Sequence, residues 1–437
     1  MKTFRKGGIH PPESKITAGY PITELPLPSE LRIMLSQSIG KPSKPIVKVG
    51  QAVAVGEMIA EADGFVSAPV HSPVNGTVKK IEPTRTPQGI WQDSIVISID
   101  TTESDARSTK PRSQDEVNSL SPEEITSIVG DAGIVGLGGA TFPTRVKLSV
   151  PKGKVATTVI INGAECEPCL TCDDALMRSQ ADKIVRGAIL IMKATRAREC
   201  VIGIEENKPE AIEALTKAIR AVANMSVVTL MKKYPQGGEK QLIYAVTGKT
   251  VPAGGLPIDT GCIVDNVATA YAVYDAVYNR RPLTERIVTV TGPSITNPGN
   301  FLVKNGTPLS DIISFAGGLP DDTGKIIAGG PMMGRAVSTL DATATKGLSG
   351  IVVMPESESH RKPVEPCIRC SKCISVCPMG LEPYLFMLQA DAAMWEAMGE
   401  HGVMNCLECG CCSYACPANR PLVDMIKLGK QQLRKNR

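Results

Sequence analysis

Between residues 46 and 100, runs of Val and Ile alternate with Gly, Asn and Pro, as in IVKVGQAVAVGEMIAEADGFVSAPVHSPVNGTVKKIEP. Alternation punctuated by turn formers predicts short β-strands, and Asn75-Gly76 predicts a hairpin turn. Residues 101–121 are polar and poor in apolar side chains, which predicts a linker. Ser121 and Pro122 then read as the N-cap and first position of a helix. From 154 to 232 the pattern changes. Strand-like VATTVIIN leads to ADKIVRGAILIMKATR, where Ile184, Ala188, Ile191 and Met192 share one helical face. Strand-like CVIGI follows, then KPEAIEALTKAIRAVA with Ile212, Leu215, Ile219 and Val222 on one face, then strand-like SVVTLM. Strands alternating with helices predict a parallel sheet. Ligands bind beyond the carboxyl ends of such strands, and the loops there, NGAECEP, EENKPE and KKYPQGGEK, are polar or glycine-rich. CIVDNVATAYAVYDAVYNR (262–280) reads as a helix with Asp265 and Asn266 near its start. Over 286–327, RIVTVTG and GKIIAGG read as short strands around one short helix, LSDIISFAGG, and GGPMMGRAV reads as a tight turn.

Composition narrows the class. At about 150 residues per domain, the 437 residues suggest several domains, and a 42% hydrophobic fraction is enough for sizeable cores. Net charge is +4, from 48 basic and 44 acidic side chains. With no Lys/Arg stripe interleaved with aromatics, this argues against nucleic acid. The basic start, MKTFRKGGIHPPESK, is followed by no apolar stretch of the kind a secretory signal needs. No run approaches the ~18 apolar residues that span a bilayer. The expectation is a chain that is soluble, or peripheral to a membrane through partners.

Fourteen cysteines change the picture more. In a reducing compartment this favours metal ligation over disulfides. CIRCSKCISVCP supplies Cys367, Cys370, Cys373 and Cys377; CLECGCCSYACP supplies Cys406, Cys409, Cys412 and Cys416. Both match the C-x2-C-x2-C-x3-C-P run of two-cluster ferredoxins, in which the fourth Cys serves the other cluster. The expected ligand sets are therefore Cys367, Cys370, Cys373 with Cys416, and Cys406, Cys409, Cys412 with Cys377. Zinc ribbons use two C-x2-C pairs across a longer gap, which does not fit. Cys411 is out of register. In the segment between the runs, Leu385, Met387 and Leu388 read as core. AECEPCLTCDDAL carries a third C-x2-C-x2-C, Cys166, Cys169 and Cys172, with no fourth cysteine or Cys-Pro ending; Cys200 and Cys262 are the only same-domain candidates for a fourth ligand. His10, His71, His360 and His401 read as structural or surface residues.

GLGGATFPTRVKL adds glycines at 136, 138 and 139, which let backbone amides approach a phosphate or an isoalloxazine ring, and Lys147, which could neutralise a phosphate. With VIINGAECEP, YPQGGEKQL and IVDNVAT in the same order, this stretch resembles the FMN- and NADH-binding subunit of respiratory complex I. The 46–100 pattern resembles a biotinyl/lipoyl-type barrel-sandwich, without a Met-Lys-Met-like stretch for carrier modification. Together with a β-grasp-like module, the two cysteine runs, FRKGGIHPPESK and GGPMMG, the whole chain is similar to the RnfC family, the C subunits of Rnf electron-transport complexes.

That resemblance implies a multidomain α/β and β protein: a barrel-sandwich hybrid (1–100), a linker (101–121), a Rossmann-like FMN/NADH domain (122–281), a small β-grasp, SLBB-like domain (282–350) and an α-helical two-cluster ferredoxin domain (360–437). It implies non-covalent FMN, two 4Fe–4S clusters and NAD(H) as substrate. Gly136, Gly138, Gly139, Lys147, Asn162, Glu165, Gly238, Asp265 and Asn266 would hold FMN. Phe142, Glu167 and Glu239 would lie near the nicotinamide-binding face, with Tyr234 nearby. Ala164, Lys240 and Asp265 depart from the complex I pattern. No catalytic side chain is expected, because the flavin itself converts hydride into single electrons. The family implies a peripheral protein on the cytoplasmic face of a cell membrane, docked on membrane subunits and a ferredoxin-like subunit of an ion-translocating ferredoxin:NAD+ oxidoreductase. The barrel and the basic tail KLGKQQLRKNR are the candidate docking surfaces, although for the tail a plain solvated helix end is the preferred reading. A soluble cobalamin-reductase-like flavoprotein and a non-enzymatic iron–sulfur wire are the competing readings. The coupling ion, the direction of electron flow and the cluster potentials are not encoded in these motifs.

Overall fold

A computed structural model describes residues 1–100 and 110–435. At its centre, strands Met225–Leu230, Glu199–Glu205, Thr158–Gly163 and Cys262–Asn266 pair in that order, all parallel. Val159, Ile160 and Ile161 are fully buried on alternating faces, as parallel strands covered on both sides require. Helices Cys172–Thr195, Pro209–Ala218 and Val267–Asn279 cover one face, and Glu239–Thr247 covers the other. The chain runs outward from Thr158–Gly163 in one direction, then returns to add Cys262–Asn266 on its opposite side. That reversal opens a crevice between the carboxyl ends of these two strands, the usual ligand position in such sheets.

Several elements differ from the sequence reading. Cys262–Asn266 is a strand, and the helix begins only at Val267. Ile263 and Val264 suit either state, and pairing with Thr158–Asn162 decides for the strand. Asn266 then caps the helix by accepting the Ala268 amide at 2.7 Å. The helix expected over 208–223 stops at Ala218. Within the expected linker, Gln114–Ser119 is a helix with a Ser113/Glu116 capping box, while 101–109 lies outside the described residues. The expected cap at Ser121 and Pro122 is present, completed by Glu124.

Two small sheets, one of Glu30–Met34, Trp91–Ile99, Gly76–Arg85 and Ala52–Val53, the other of Lys44–Pro45, Met58–Glu61 and Val70–His71, enclose a sandwich core that includes Leu31, Ile33, Ile59, Val78 and Ile95. Asn75-Gly76 is not a hairpin turn. Asn75 instead accepts the Val55 amide at 2.8 Å, and the hairpin of Gly76–Arg85 with Trp91–Ile99 closes at Thr86–Ile90. A six-stranded mixed sheet contains Gly299–Lys304, Glu285–Thr291, Gly350–Pro355 and Thr323–Ala328, with helix Leu309–Phe315 beside it. One of its edge strands is Ile22–Glu24 and the other Arg335–Ala336. Residues 1–24 therefore leave the barrel and run across the other units. In the cysteine region, short helices pack around Phe386, Met398, Val403 and Ile426. Met387 is buried and Leu385 half-buried, but Leu388 is 55% exposed and belongs to no core. No helix among the described residues is long and apolar enough to cross a membrane.

Candidate functional site

The crevice at the switch point is built from both strand ends. Asn162 donates to Gly237 O at 2.9 Å, and Asn266 donates to Asp173 Oδ2 at 2.7 Å. Above them passes the loop 136–142, closed by a Gly136 N–H to Phe142 O bond of 2.8 Å and held down by Leu137 N–H donating to Thr269 Oγ1 at 2.9 Å. Gly138 sits at φ +88°, and a Cβ there would lie 2.6 Å from Asn266 Nδ2. Gly139 is exposed with nothing within 4 Å. The loop thus offers bare backbone to the crevice, which side chains would obstruct. Phe142 is half-buried at its end.

Lys147 enters from the short helix Thr144–Leu148. Its Nζ donates to Val264 O at 2.6 Å and stands 3.3 Å from Glu239 Oε1 and 3.7 Å from Asp265 Oδ1. Burial opposes its charge, but the two carboxylates outweigh this and hold it above the usual lysine range. The family resemblance implies direct contact between Asp265 and a cofactor. Both oxygens of Asp265 are instead wholly buried without a hydrogen-bond partner, so it faces Lys147 and reaches the crevice only through that ammonium. Burial pushes its carboxyl up to about 6. Glu239, first residue of its helix after Gly238, is the more exposed partner.

The loop AECEPCLTCDDAL wraps an ammonium. Lys15 Nζ donates to Glu165 O at 3.0 Å, to Glu167 O at 3.1 Å and to Leu170 O. Glu165, buried, accepts the Asp173 amide at 2.6 Å and the Asp174 amide at 3.3 Å at the start of helix Cys172–Thr195. Burial raises its carboxyl to about 7. Glu167, also raised to about 7 by burial, accepts the Met332 and Met333 amides at 3.0 and 2.9 Å. The turn of GGPMMG therefore closes over this loop, and Glu167 is already engaged. Cys166 Sγ accepts the Gly237 amide at 3.3 Å. Cys172 Sγ lies within 4.8 Å of carboxylate oxygens of Glu165 and Asp173.

The two C-terminal cysteine runs interlock. Cys377 of the first run lines a cavity together with Cys406, Cys409 and Cys412 of the second. Cys373 and Cys416 meet beside Met387 and Leu422. Cys367 and Cys370 are exposed. The second run lies against the central domain. Tyr234, expected near the nicotinamide-binding face, is 2% exposed, and its hydroxyl donates to Cys409 O at 2.9 Å. Cys411, also buried, points its thiol at Tyr234 O at 3.9 Å. Gln241 Nε2 reaches Pro378 O at 3.4 Å. Within the basic tail, Lys430, 6% exposed, donates to Cys406 O at 3.0 Å and to Glu408, whereas Lys427, Arg434 and Lys435 are exposed.

Sequence reasoning misses Lys15 and the N-terminal strap as site elements. Their one signal is the polar, proline-rich FRKGGIHPPESK, which forms no core of its own. The chain matches family models described as "RnfC Barrel sandwich hybrid domain" over residues 2–102, "Nuo51 FMN-binding domain" over 129–275, "SLBB domain" over 287–336 and "4Fe-4S dicluster domain" over 359–417. It is 43% identical to the C subunit of the Na(+)-translocating ferredoxin:NAD(+) oxidoreductase complex of Acetobacterium woodii, across 98% of this chain and 96% of that one. It is 42% identical to the proton-translocating counterpart of Clostridium ljungdahlii (99% and 94% covered) and 40% identical to the C subunit of the ion-translocating oxidoreductase complex of Rhodobacter capsulatus (98% and 83%). Among solved structures, a chain of an NAD+-reducing [NiFe]-hydrogenase in its H2-reduced state shares the fold, with a TM-score of 0.51 and 21% identity over 72% of this chain. The match spans 62% of that hydrogenase chain.

Proposed function

Because the chain belongs to the RnfC family, the C subunits of ion-translocating oxidoreductase complexes, we propose that it is the subunit through which such a complex exchanges electrons with NAD(H). Its cofactors are FMN and two 4Fe–4S clusters. Bound FMN supplies the exchange between hydride, two electrons at once, and the single electrons that clusters accept.

The residues of the crevice fit that group. Gly136, Gly138 and Gly139 present backbone to a phosphate or ring, and the Gly138 position has no room for a Cβ. Lys147, kept charged by Glu239 and Asp265, neutralises negative charge. Asn162 and Asn266 supply amides from the two strand ends, and Gly238 and Glu165 fix the flanking backbone. Phe142 and Glu239 are left for the nicotinamide. Cys406, Cys409, Cys412 and Cys377 hold one cluster; Cys367, Cys370, Cys373 and Cys416 hold the other.

The observation that carries this reading is the sharing of Cys377 with the second run, on the side where Tyr234 joins that run to the flavin domain. It supports a path from the flavin to the Cys406–Cys412 cluster and then to the cluster with exposed Cys367 and Cys370. The exposed end suits hand-over to a ferredoxin-like subunit. With no spanning helix among the described residues, ion movement falls to membrane subunits, and the chain sits peripherally on their cytoplasmic side. Anaerobically prepared protein releases FMN on denaturation, and NADH bleaches the flavin before the clusters. Protein that holds iron and sulfide but no flavin after reconstitution, or that is inert to both NADH and reduced ferredoxin, overturns the reading.

A further inference from the structure

Arg286, on strand Glu285–Thr291, is 5% exposed, and its Nε is wholly buried with no hydrogen-bond partner. Among the described residues its guanidinium forms no ion pair. The nearby group that carries charge is Asp173, whose Oδ2 accepts from Asn266 and which makes no hydrogen bond to the guanidinium among the described residues. A guanidinium carries five donors and cannot shed its charge at any working pH. Burial of such a group is tolerated only with a counter-charge and hydrogen bonds.

The same side chain lines a cavity of about 490 Å³ between helices Cys172–Thr195 and Val267–Asn279 and the six-stranded sheet. This volume is in the range of small-molecule sites. Much of its wall is apolar, with Leu137, Leu176, Ala272, Ile287 and Leu302. Helix Cys172–Thr195 breaks at Gln180, φ −131° and ψ 29°, where it borders this space. Glu24, Arg178, Asp275, Arg281 and Glu285 also line it; Arg178 is paired with Asp174 and Glu285 with Lys304, Asp275 accepts from Asn279 at 2.6 Å, and Glu24 and Arg281 are exposed at the rim. Lys147, Asn162, Glu239 and Asn266 do not line it, so it is a different space from the flavin crevice, although the two share Leu137 of the glycine loop as a wall.

We propose that this cavity binds a small amphipathic organic anion, its carboxylate taken by the Arg286 guanidinium and its apolar body laid against the Leu, Ile and Ala wall. A carboxylate matches the forked donors two at a time, and one buried cation selects one negative charge. The site is a second ligand position, and its binding does not depend on electron transfer.

Calorimetric titration of the full chain, loaded with flavin and clusters, tests it with decanoate and decanol as probes. Decanoate should bind once per chain, tighter than decanol by on the order of tenfold. Arg286→Met should remove that preference, and Arg286→Lys should keep part of it. Ala272→Leu fills the cavity from the opposite wall and should weaken decanoate with Arg286 intact, so the test stands even where Arg286→Met does not fold. Equal binding of decanoate and decanol overturns the proposal. So does decanoate binding that Ala272→Leu leaves unchanged, or decanoate that displaces FMN.

Discussion

Lys15 explains why three cysteines at cluster spacing need not make a cluster. Its ammonium occupies the point where the carbonyls of Glu165, Glu167 and Leu170 converge, and the thiols pack outside that point. The protein in which Cys166, Cys169 and Cys172 are all serine should keep about eight iron atoms per chain, the content of two cubanes. Iron assay after anaerobic reconstitution checks this; wild type near twelve, falling to eight in the variant, rejects it. A second buried ammonium has a pH signature. Lys346, fully buried, donates to Pro69 O at 2.8 Å and Gly133 O at 2.7 Å, and burial lowers it to about 7. From about pH 7 to the ordinary lysine value near 10.4, the unfolded chain binds a proton here that the folded chain releases. Stability from this residue therefore rises with pH across that window. The Tm of wild type minus that of Lys346→Met should increase from pH 7 to pH 9, and a constant difference excludes the assignment.

At the scale of elements, legibility follows how local the determinant is. The two cysteine runs and the glycine loop are readable because a cluster or a bare-backbone loop is specified within a dozen residues. The helix start at Ser121 is readable because a capping box spans four. Cys262–Asn266 is not: Ile263, Val264, Val267 and Ala270 fit a helical face, and only the neighbouring strand tips the balance. Strand Ile22–Glu24 has three residues, too few for a period, and exists because Asn300–Leu302 offers an edge. For Asp265 and Tyr234 the motifs give the neighbourhood but not the depth of burial, which is a tertiary property. The turn at Met332–Met333 belongs here too. Two amides on one buried carboxylate are charge-assisted bonds of about 1.5–3 kcal/mol each. Glu167→Ala should speed hydrogen exchange at these two amides by at least about tenfold, the factor that corresponds to roughly 1.4 kcal/mol. Exchange at wild-type rates would mean that the turn holds itself.

Across the whole molecule, the chain's first residues join what the electron path must keep together. Lys2 bonds both ways with the edge strand of the parallel sheet, to Thr229 O and from Met231 N–H. Gly8 N–H donates to Val376 O of the first cysteine run, and Ile9 pairs in both directions with Tyr234 at 2.9 Å. Gly7 lies so close to Cys377 that a Cβ would approach its carbonyl to 2.5 Å. The strap therefore touches the flavin domain and the Cys377 corner within a few residues, and Tyr234 lies between them. Electron transfer between centres depends on a fixed separation, and here a segment that contributes no ligand adds contacts to those that Tyr234 and Gln241 make directly. Removing residues 1–9 leaves the crevice residues and all eight run cysteines in place. NADH should still bleach the flavin at close to the wild-type rate, while reduction of the clusters slows by at least about tenfold, a loss that corresponds to roughly 1.4 kcal/mol in the barrier. Stopped-flow absorbance under anaerobic conditions separates the two phases. If both slow together, the strap serves the flavin pocket rather than the junction; if neither slows, Tyr234 and Gln241 hold the cluster domain without it.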